Sequence, residues 1–210
     1  MKLYNADLSP NCIRVRAVIH ELDLPVELVD VDLLSKSGWP PELVAANPNG
    51  KVPVFVDDDG FTLFESRAIN TYLANKRPER DLYPTDPKRR AIVDQWSYWH
   101  ALQLSLAMLA VGFERVIKPK FGFGPTNEEV VTVKLAEVDR WLPMLDEGLS
   151  DREWLAGALS VADFAVASTF FLREAAEISL AKVPNVSAWI GRVEALPSWQ
   201  RALPAPLGSS

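Results

Sequence analysis

Chemistry-bearing residues cluster in a few short stretches. In LSPNCIRVR, residues 8–16, a serine and the single cysteine of the chain, Ser9 and Cys12, stand three residues apart. Ser9-Pro10 is a helix start signal, serine being a favoured N-cap and proline a favoured first helical residue. The same geometry suits chemistry. The positive end of a helix stabilises an anion beside it, and a serine hydroxyl there can donate a hydrogen bond to a thiolate. Helix N-termini and cationic neighbours lower a thiol pKa from about 8.5 to between about 3.5 and 7.5. Cys12 lies one turn deeper, where that field fades, and reads as a packed residue rather than a reactive thiol.

Two further stretches carry polar groups suited to a ligand. In GKVPVF, residues 50–55, Pro53 opens a strand, and Lys51 is either a solvated lysine or a partner for a carboxylate. Glu65-Ser66 follows the strand-like FTLF and opens a helix. Ser66 is an N-cap candidate, and free N–H groups at such an N-terminus also take a carboxylate, while Glu65 takes an ammonium. Together the pair suits a ligand end that carries both charges. The histidines, His20 and His100, form no metal-ligand pattern with the cysteine or with acidic pairs, and no metal is expected.

Bulk composition sets the frame for these residues. The chain has 210 residues, 48% of them hydrophobic, enough for one large or two small cores. A net charge of −6 argues against a general nucleic-acid partner, which needs a basic face. No uninterrupted apolar run reaches a membrane span, and MKLYNADLS lacks the apolar core of a signal peptide, so no membrane partner and a cytoplasmic location are expected.

The elements that must hold the polar groups change character along the chain. MKLYN and PVELVDVDL read as strands around the helical CIRVRAVIHEL, a right-handed βαβ unit. VPVFV and FTLF then flank DDDG, a hairpin signal, before the helix ESRAINTYLANK. Prolines 78, 84 and 87 mark a charged linker. Beyond it strand signals nearly vanish. RRAIVDQWSYWHALQLSLAMLAVGFERVI reads as one long helix. A second, TNEEVVTVKLAEVDRWLPMLDEGL, opens with Thr126 as N-cap and Glu129 at the capping-box position. SVADFAVASTFFLREAAE, with a Ser160–Asp163 capping box, and VPNVSAWIGRVEAL follow. The expected organisation is an α/β domain over 1–76, a linker over 77–88 and an all-α domain over 89–205.

That order of elements, carrying SPNCIRVR, NPNGKVPVF, LFESRAI and GALSVADFAVA in register, resembles the cytosolic glutathione transferase superfamily over essentially the whole chain. LFESRAI and the serine at position 9 look especially like the phi and theta branches, the serine-type enzymes. The resemblance implies a thioredoxin-like N-terminal domain (βαβ-ββα), a helical-bundle C-terminal domain, a glutathione site on the first and a homodimer. It implies that Ser9 stabilises the glutathione sulfur and that Pro53 follows a cis peptide bond. Val52 would then pair with the cysteinyl residue in strand fashion. Lys51 would meet the glycyl carboxylate, and Glu65 and Ser66 the γ-glutamyl end. A hydrophobic co-substrate site is implied at Leu8 and Ile13 with His100, Leu104 and Met108, although His100 equally suits a satisfied core histidine. The chain departs from the phi pattern in carrying lysine where phi members have glutamine, and SGWPPEL where they have a His-Lys pair.

The implied function is conjugation of glutathione to hydrophobic electrophiles, as in detoxification. Other readings stay open: a zeta-like glutathione-dependent isomerase, a Cys12-dependent thiol transferase, and a non-catalytic ligand-binding member of the fold.

Overall fold

The computed structural model describes residues 1–34 and 39–204. Ser37 and Gly38 of SGWPPEL, and residue 205 at the end of the expected helical domain, lie outside them. The chain divides into two compact units, Met1–Tyr83 joined by the segment from Ala195 onward, and Pro84–Glu194.

The first unit is built from β1 (Lys2–Asn5), α1 (Pro10–Glu21), β2 (Glu27–Asp30), α2 (Pro41–Ala46), β3 (Val54–Val56), β4 (Thr62–Phe64) and α3 (Ser66–Asn75). Its sheet has the order β2-β1-β3-β4. β1 runs parallel to β2 with Leu3 opposite Leu28, as a βαβ crossover requires. β3 lies antiparallel to both β1 and β4. The DDDG turn closes where the Asp57 N–H donates to the Phe61 carbonyl at 2.8 Å, with Gly60 at φ 86°. β2 is shorter than the apolar pattern of PVELVDVDL suggests, spanning four residues that lie at the sheet edge.

Helix α1 is buried on nearly every face: residues 12–19, Arg14 and Arg16 included, are all inaccessible. A helix buried all round needs partners on more than one side. Part of the cover comes from α3, where the Asn70 amide donates to the Arg14 carbonyl at 3.3 Å.

The second unit comprises α4 (Pro87–Lys120), α5 (Glu128–Gly148), α6 (Val161–Ala167) and α7 (Pro184–Glu194). The 34-residue α4, expected as one long helix, is the one helix among the described residues long and apolar enough to cross a membrane. Of its most apolar window, 44% is buried within the protein. Two π-helical turns, His100–Leu104 and Phe113–Ile117, interrupt its regular pitch. α4 and α5 approach so closely that a Cβ on Gly148 would lie 2.4 Å from the Trp96 ring and force that ring to move.

Caps set several helix boundaries. The N-cap of α5 is Asn127, one residue later than Thr126, because its side chain accepts from the Glu129 and Val130 N–H groups. The Thr126 hydroxyl donates instead to the Glu114 carbonyl at 3.0 Å. At α6 the Ser160–Asp163 capping box is present, and the buried Asp163 carboxylate also accepts from the Leu155 N–H and the Trp189 indole. α6 ends at Ala167, well short of the helix expected to residue 177.

The last helix, α8 (Pro197–Ala202), belongs to the first unit. The sequence groups it with the helical half because it follows α7 directly, whereas its contacts are with α1. Arg16 donates to the Ala202 carbonyl from both Nε (2.8 Å) and Nη2 (2.6 Å), and the Ser198 hydroxyl donates to Glu21.

Candidate active site

Ser9 caps α1 as its sequence context requires: its Oγ accepts from the Cys12 N–H at 3.4 Å, and Pro10 follows as the first helical residue. The Ser9 N–H donates to the Ala6 carbonyl at 3.0 Å, which closes the β1–α1 loop. The cap uses only a lone pair of the hydroxyl oxygen, so the Ser9 proton is not consumed by that bond. Cys12 is wholly buried, with the Ala6 N–H directed at its sulfur at 3.4 Å. Burial pushes its thiol up, against opposing contributions from the Ala6 N–H, Ser9, Arg16 and Arg14. A neutral, inaccessible thiol is not a nucleophile.

The remaining polar groups meet in one cleft of about 210 Å³, lined by Asn11, Asn47, Asn49, Lys51, Val52, Pro53, Glu65 and Ser66. Lys51 and Glu65, at its wall, are exposed, while Val52, Pro53 and Ser66 are buried. The Val52–Pro53 peptide is cis. The loop before it is tied by Asn47: its Nδ2 donates to the Lys51 carbonyl at 2.8 Å, and its Oδ1 accepts from the Asn49 N–H at 3.1 Å. Asn47 thus fixes the shape of the wall that bears Lys51 and Val52. Ser9 is not among the residues lining this cleft, but Asn11, two residues on, is.

At the opposite wall the N-cap of α3 is Glu65, not Ser66. Glu65 has φ 71°, and its carboxylate makes no capping hydrogen bond. Ser66 is the first helical residue, and its hydroxyl accepts from Arg14 Nη1 at 3.2 Å. The guanidinium can only donate, so Ser66 keeps its own proton to give to an acceptor in the cleft. Burial lowers the pKa of Arg14 strongly, Arg67 adding to the effect, while Cys12 and Glu65 oppose it. Arg67 is brought down to about 10 by burial, with Glu65 opposing. Glu65, itself exposed, is the acidic group whose charge partly offsets the burial of both arginines.

The residues expected at a hydrophobic site sit as follows. Leu8 is half-buried and Ile13 fully buried in the first unit. In the second, Leu104 and Met108 are buried on α4, and His100 Nε2 is 3.0 Å from the Thr169 hydroxyl, whose oxygen also lies 3.6 Å from the Met108 sulfur. The large apolar side chains that α4 does expose are Tyr98, Leu102, Leu106 and Phe113.

Asn11, Asn47, Asn49 and Arg14 were not singled out from the sequence. Asn-Pro-Asn-Gly carries a turn signal that could have flagged Asn47 as a loop anchor. Arg14 could have been suspected as a charge inside the apolar run of α1.

Comparisons with known proteins agree with this geometry. The family model for the glutathione S-transferase N-terminal domain matches residues 3–81, and that for the glutathione S-transferase C-terminal domain matches residues 105–197. Glutathione S-transferase F13 of Arabidopsis thaliana is 36% identical over 90% of this chain and 88% of its own. A glutathione S-transferase of Hyoscyamus muticus is 32% identical over 97% of both chains. The solved glutathione S-transferase-I bound with lactoylglutathione superposes with a TM-score of 0.87 at 31% identity, over 96% of this chain and 97% of that one. With a cis-proline loop facing Glu65-Ser66 in one unit and an all-helical second unit, the chain belongs to the cytosolic glutathione S-transferase superfamily, on its phi-like branch.

Proposed function

We propose that this glutathione S-transferase binds glutathione in the cleft of its first unit and ionises its thiol beside Ser9. The thiolate then attacks the electrophilic carbon of a hydrophobic second substrate. A carbon–sulfur bond forms as the leaving group departs with its electron pair, and the thiol proton goes to solvent. The observation that carries the reading is the gathering of Lys51, Val52, Pro53, Glu65 and Ser66 around one cleft. The tripeptide needs a cation for its glycyl carboxylate, a strand-like edge for its middle, and a paired carboxylate and donor for its amino-acid end. These residues offer that set. Ser9 lowers the free energy of the thiolate by donating to it at the positive end of α1, and the bound geometry supplies proximity. The same reading makes the protein a cytoplasmic homodimer acting in detoxification.

The test is conjugation of glutathione to a chloronitrobenzene by wild type, Ser9→Ala and Cys12→Ala. Ser9→Ala is expected to lose activity about tenfold or more at neutral pH, the effect of a hydrogen bond to a charged group of roughly 1.5–3 kcal/mol. Cys12→Ala is expected to stay within about twofold of wild type, since a buried thiol with a raised pKa is inert. Loss in Cys12→Ala alone would assign the protein to thiol–disulfide chemistry. An inactive wild type that isomerises a cis-enedione diacid would be a zeta-like enzyme, and one that only binds glutathione a carrier.

A further inference from the structure

Arg16 is 3% exposed, and its guanidinium is divided between the loop that leads to Ser9 and the last helix. Nη1 donates to Asn5 Oδ1 at 2.5 Å and reaches the Ala6 carbonyl at 3.5 Å. Nη2 donates to the Asp7 carbonyl at 2.9 Å, and the Asp7 carboxylate lies 3.6 Å from Nη1. These acceptors are consecutive residues at the end of β1, and Ser9 hangs from the middle one through its N–H to the Ala6 carbonyl. The other edge of the fork, Nε and Nη2, grips the Ala202 carbonyl in the last turn of α8. α8 is in turn fixed to the far end of α1 by Ser198 on Glu21, which Arg80 also engages. One planar group therefore joins the β1–α1 loop to a helix 186 residues away.

We propose that Arg16 is a positioning residue for Ser9, and that α8 is a strap through which the docking of the chain's C-terminal segment sets the placement of the Ser9 hydroxyl. The inference rests on the role of Ser9 proposed above and adds the group that aims it. A buried cation must be satisfied by acceptors. Here every hydrogen-bond acceptor belongs either to the end of β1 and its loop or to the strap, so neither can shift without breaking a charge-assisted bond to the guanidinium they share. A lysine has the charge but not the fork, and cannot reach Asn5, Asp7 and Ala202 together. Small misplacements of a catalytic group act on rate rather than on ground-state binding, because the peptide of glutathione is held in a cleft that Arg16 does not line.

The test is a double-mutant cycle on the full chain with Arg16→Lys and Ser9→Ala, reading kcat, KM for glutathione and the pH midpoint of kcat/KM. Arg16→Lys is expected to leave KM within about twofold, to lower kcat about tenfold, and to move the midpoint upward by about one pH unit. The double variant should be no slower than Ser9→Ala, because Arg16 acts through that hydroxyl. A lowered melting temperature with unchanged kcat and midpoint would make Arg16 a structural tie only and overturn the proposal, as would losses that multiply in the double variant. A silent Ser9→Ala would overturn the serine reading and the proposal with it, and is seen in that single variant alone. Should Arg16→Lys fail to fold, Asn5→Ala decides. It keeps the guanidinium and the strap but removes a loop acceptor, so an upward midpoint shift supports the proposal and an unmoved midpoint overturns it.

Discussion

Glu65 occupies a backbone conformation that L-residues rarely adopt, at φ 71° and ψ 104°. Such a residue costs on the order of 1–3 kcal/mol and persists where the surroundings over-determine it. The surroundings here are α3, which starts at the next residue, and the corner shared with Arg14 and Arg67. The conformation turns β4 into α3 abruptly and leaves the Glu65 side chain at the cleft wall instead of folded back as a cap. Two variants separate conformation from charge. Glu65→Gly removes the carboxylate and relieves the strain, so its unfolding free energy should be equal to or above wild type by about 1 kcal/mol. Its KM for glutathione should nevertheless rise about tenfold, by loss of an ion-paired hydrogen bond to the ammonium. Glu65→Ala should show the same rise in KM without the gain in stability. Urea unfolding alongside initial-rate kinetics checks both, and a Glu65→Gly protein less stable than Glu65→Ala would sink the strain argument.

At the scale of elements, the β3–β4 turn is fastened to α3 by a buried carboxylate. Asp57 accepts from the Tyr72 hydroxyl and the Lys76 ammonium, and the Phe61 and Tyr72 rings pack at a tilt with centroids 5.3 Å apart. The bonds from Lys76 and Tyr72 hold the Asp57 carboxyl at a pKa of about 2, below its ordinary value. The sign follows from linkage. As pH falls, the unfolded chain takes up the proton first, so the stability that Asp57 contributes is intact above about pH 4 and is lost as pH drops through about 2. Asp57→Asn should therefore be less stable at pH 6, while its stability declines less steeply than that of wild type between pH 4 and 2. Urea midpoints measured across that range test this, and parallel declines for both proteins would refute it. The DDDG turn and the caps at Ser9 and Ser160 were legible because each is written in a few neighbouring residues with one physical reason apiece. The partners of Asp57 lie 15 and 19 residues on, and the Arg16 clasp spans 186, so no periodicity announces them. Glu65 was legible as a polar residue at a helix start, but its conformation was not, since nothing in a glutamate signals positive φ. The cleft residues Asn11 and Asn49 carried no signal beyond being polar in a loop or a first turn. On α4 the resemblance points to Leu104 and Met108, both buried, while helical spacing alone does not say that the fold leaves Leu102 and Leu106 uncovered.

At the scale of the molecule, that uncovered face is the feature a single chain does not explain. Tyr98, Leu102 and Leu106 recur at every fourth residue along α4, and each is more than 60% exposed. Leucines that share one helical face and stand that far out of the surface are an association site more often than an accident of composition. The homodimer proposed above gives the stripe an occupant: a second copy, related by a two-fold axis, would bring each face onto a matching one. The protein should then sediment at about twice its 23.4 kDa. Its melting temperature should rise with protein concentration, because association stabilises the folded chain by mass action. Leu102→Glu combined with Leu106→Glu places like charges on a self-complementary face and should shift the protein to a monomer whose melting temperature no longer depends on concentration. Sedimentation velocity and thermal scans over a hundredfold range of concentration separate the outcomes. A wild type that sediments as a monomer throughout removes the dimer. A dimer indifferent to both glutamates keeps it but moves the interface off this face.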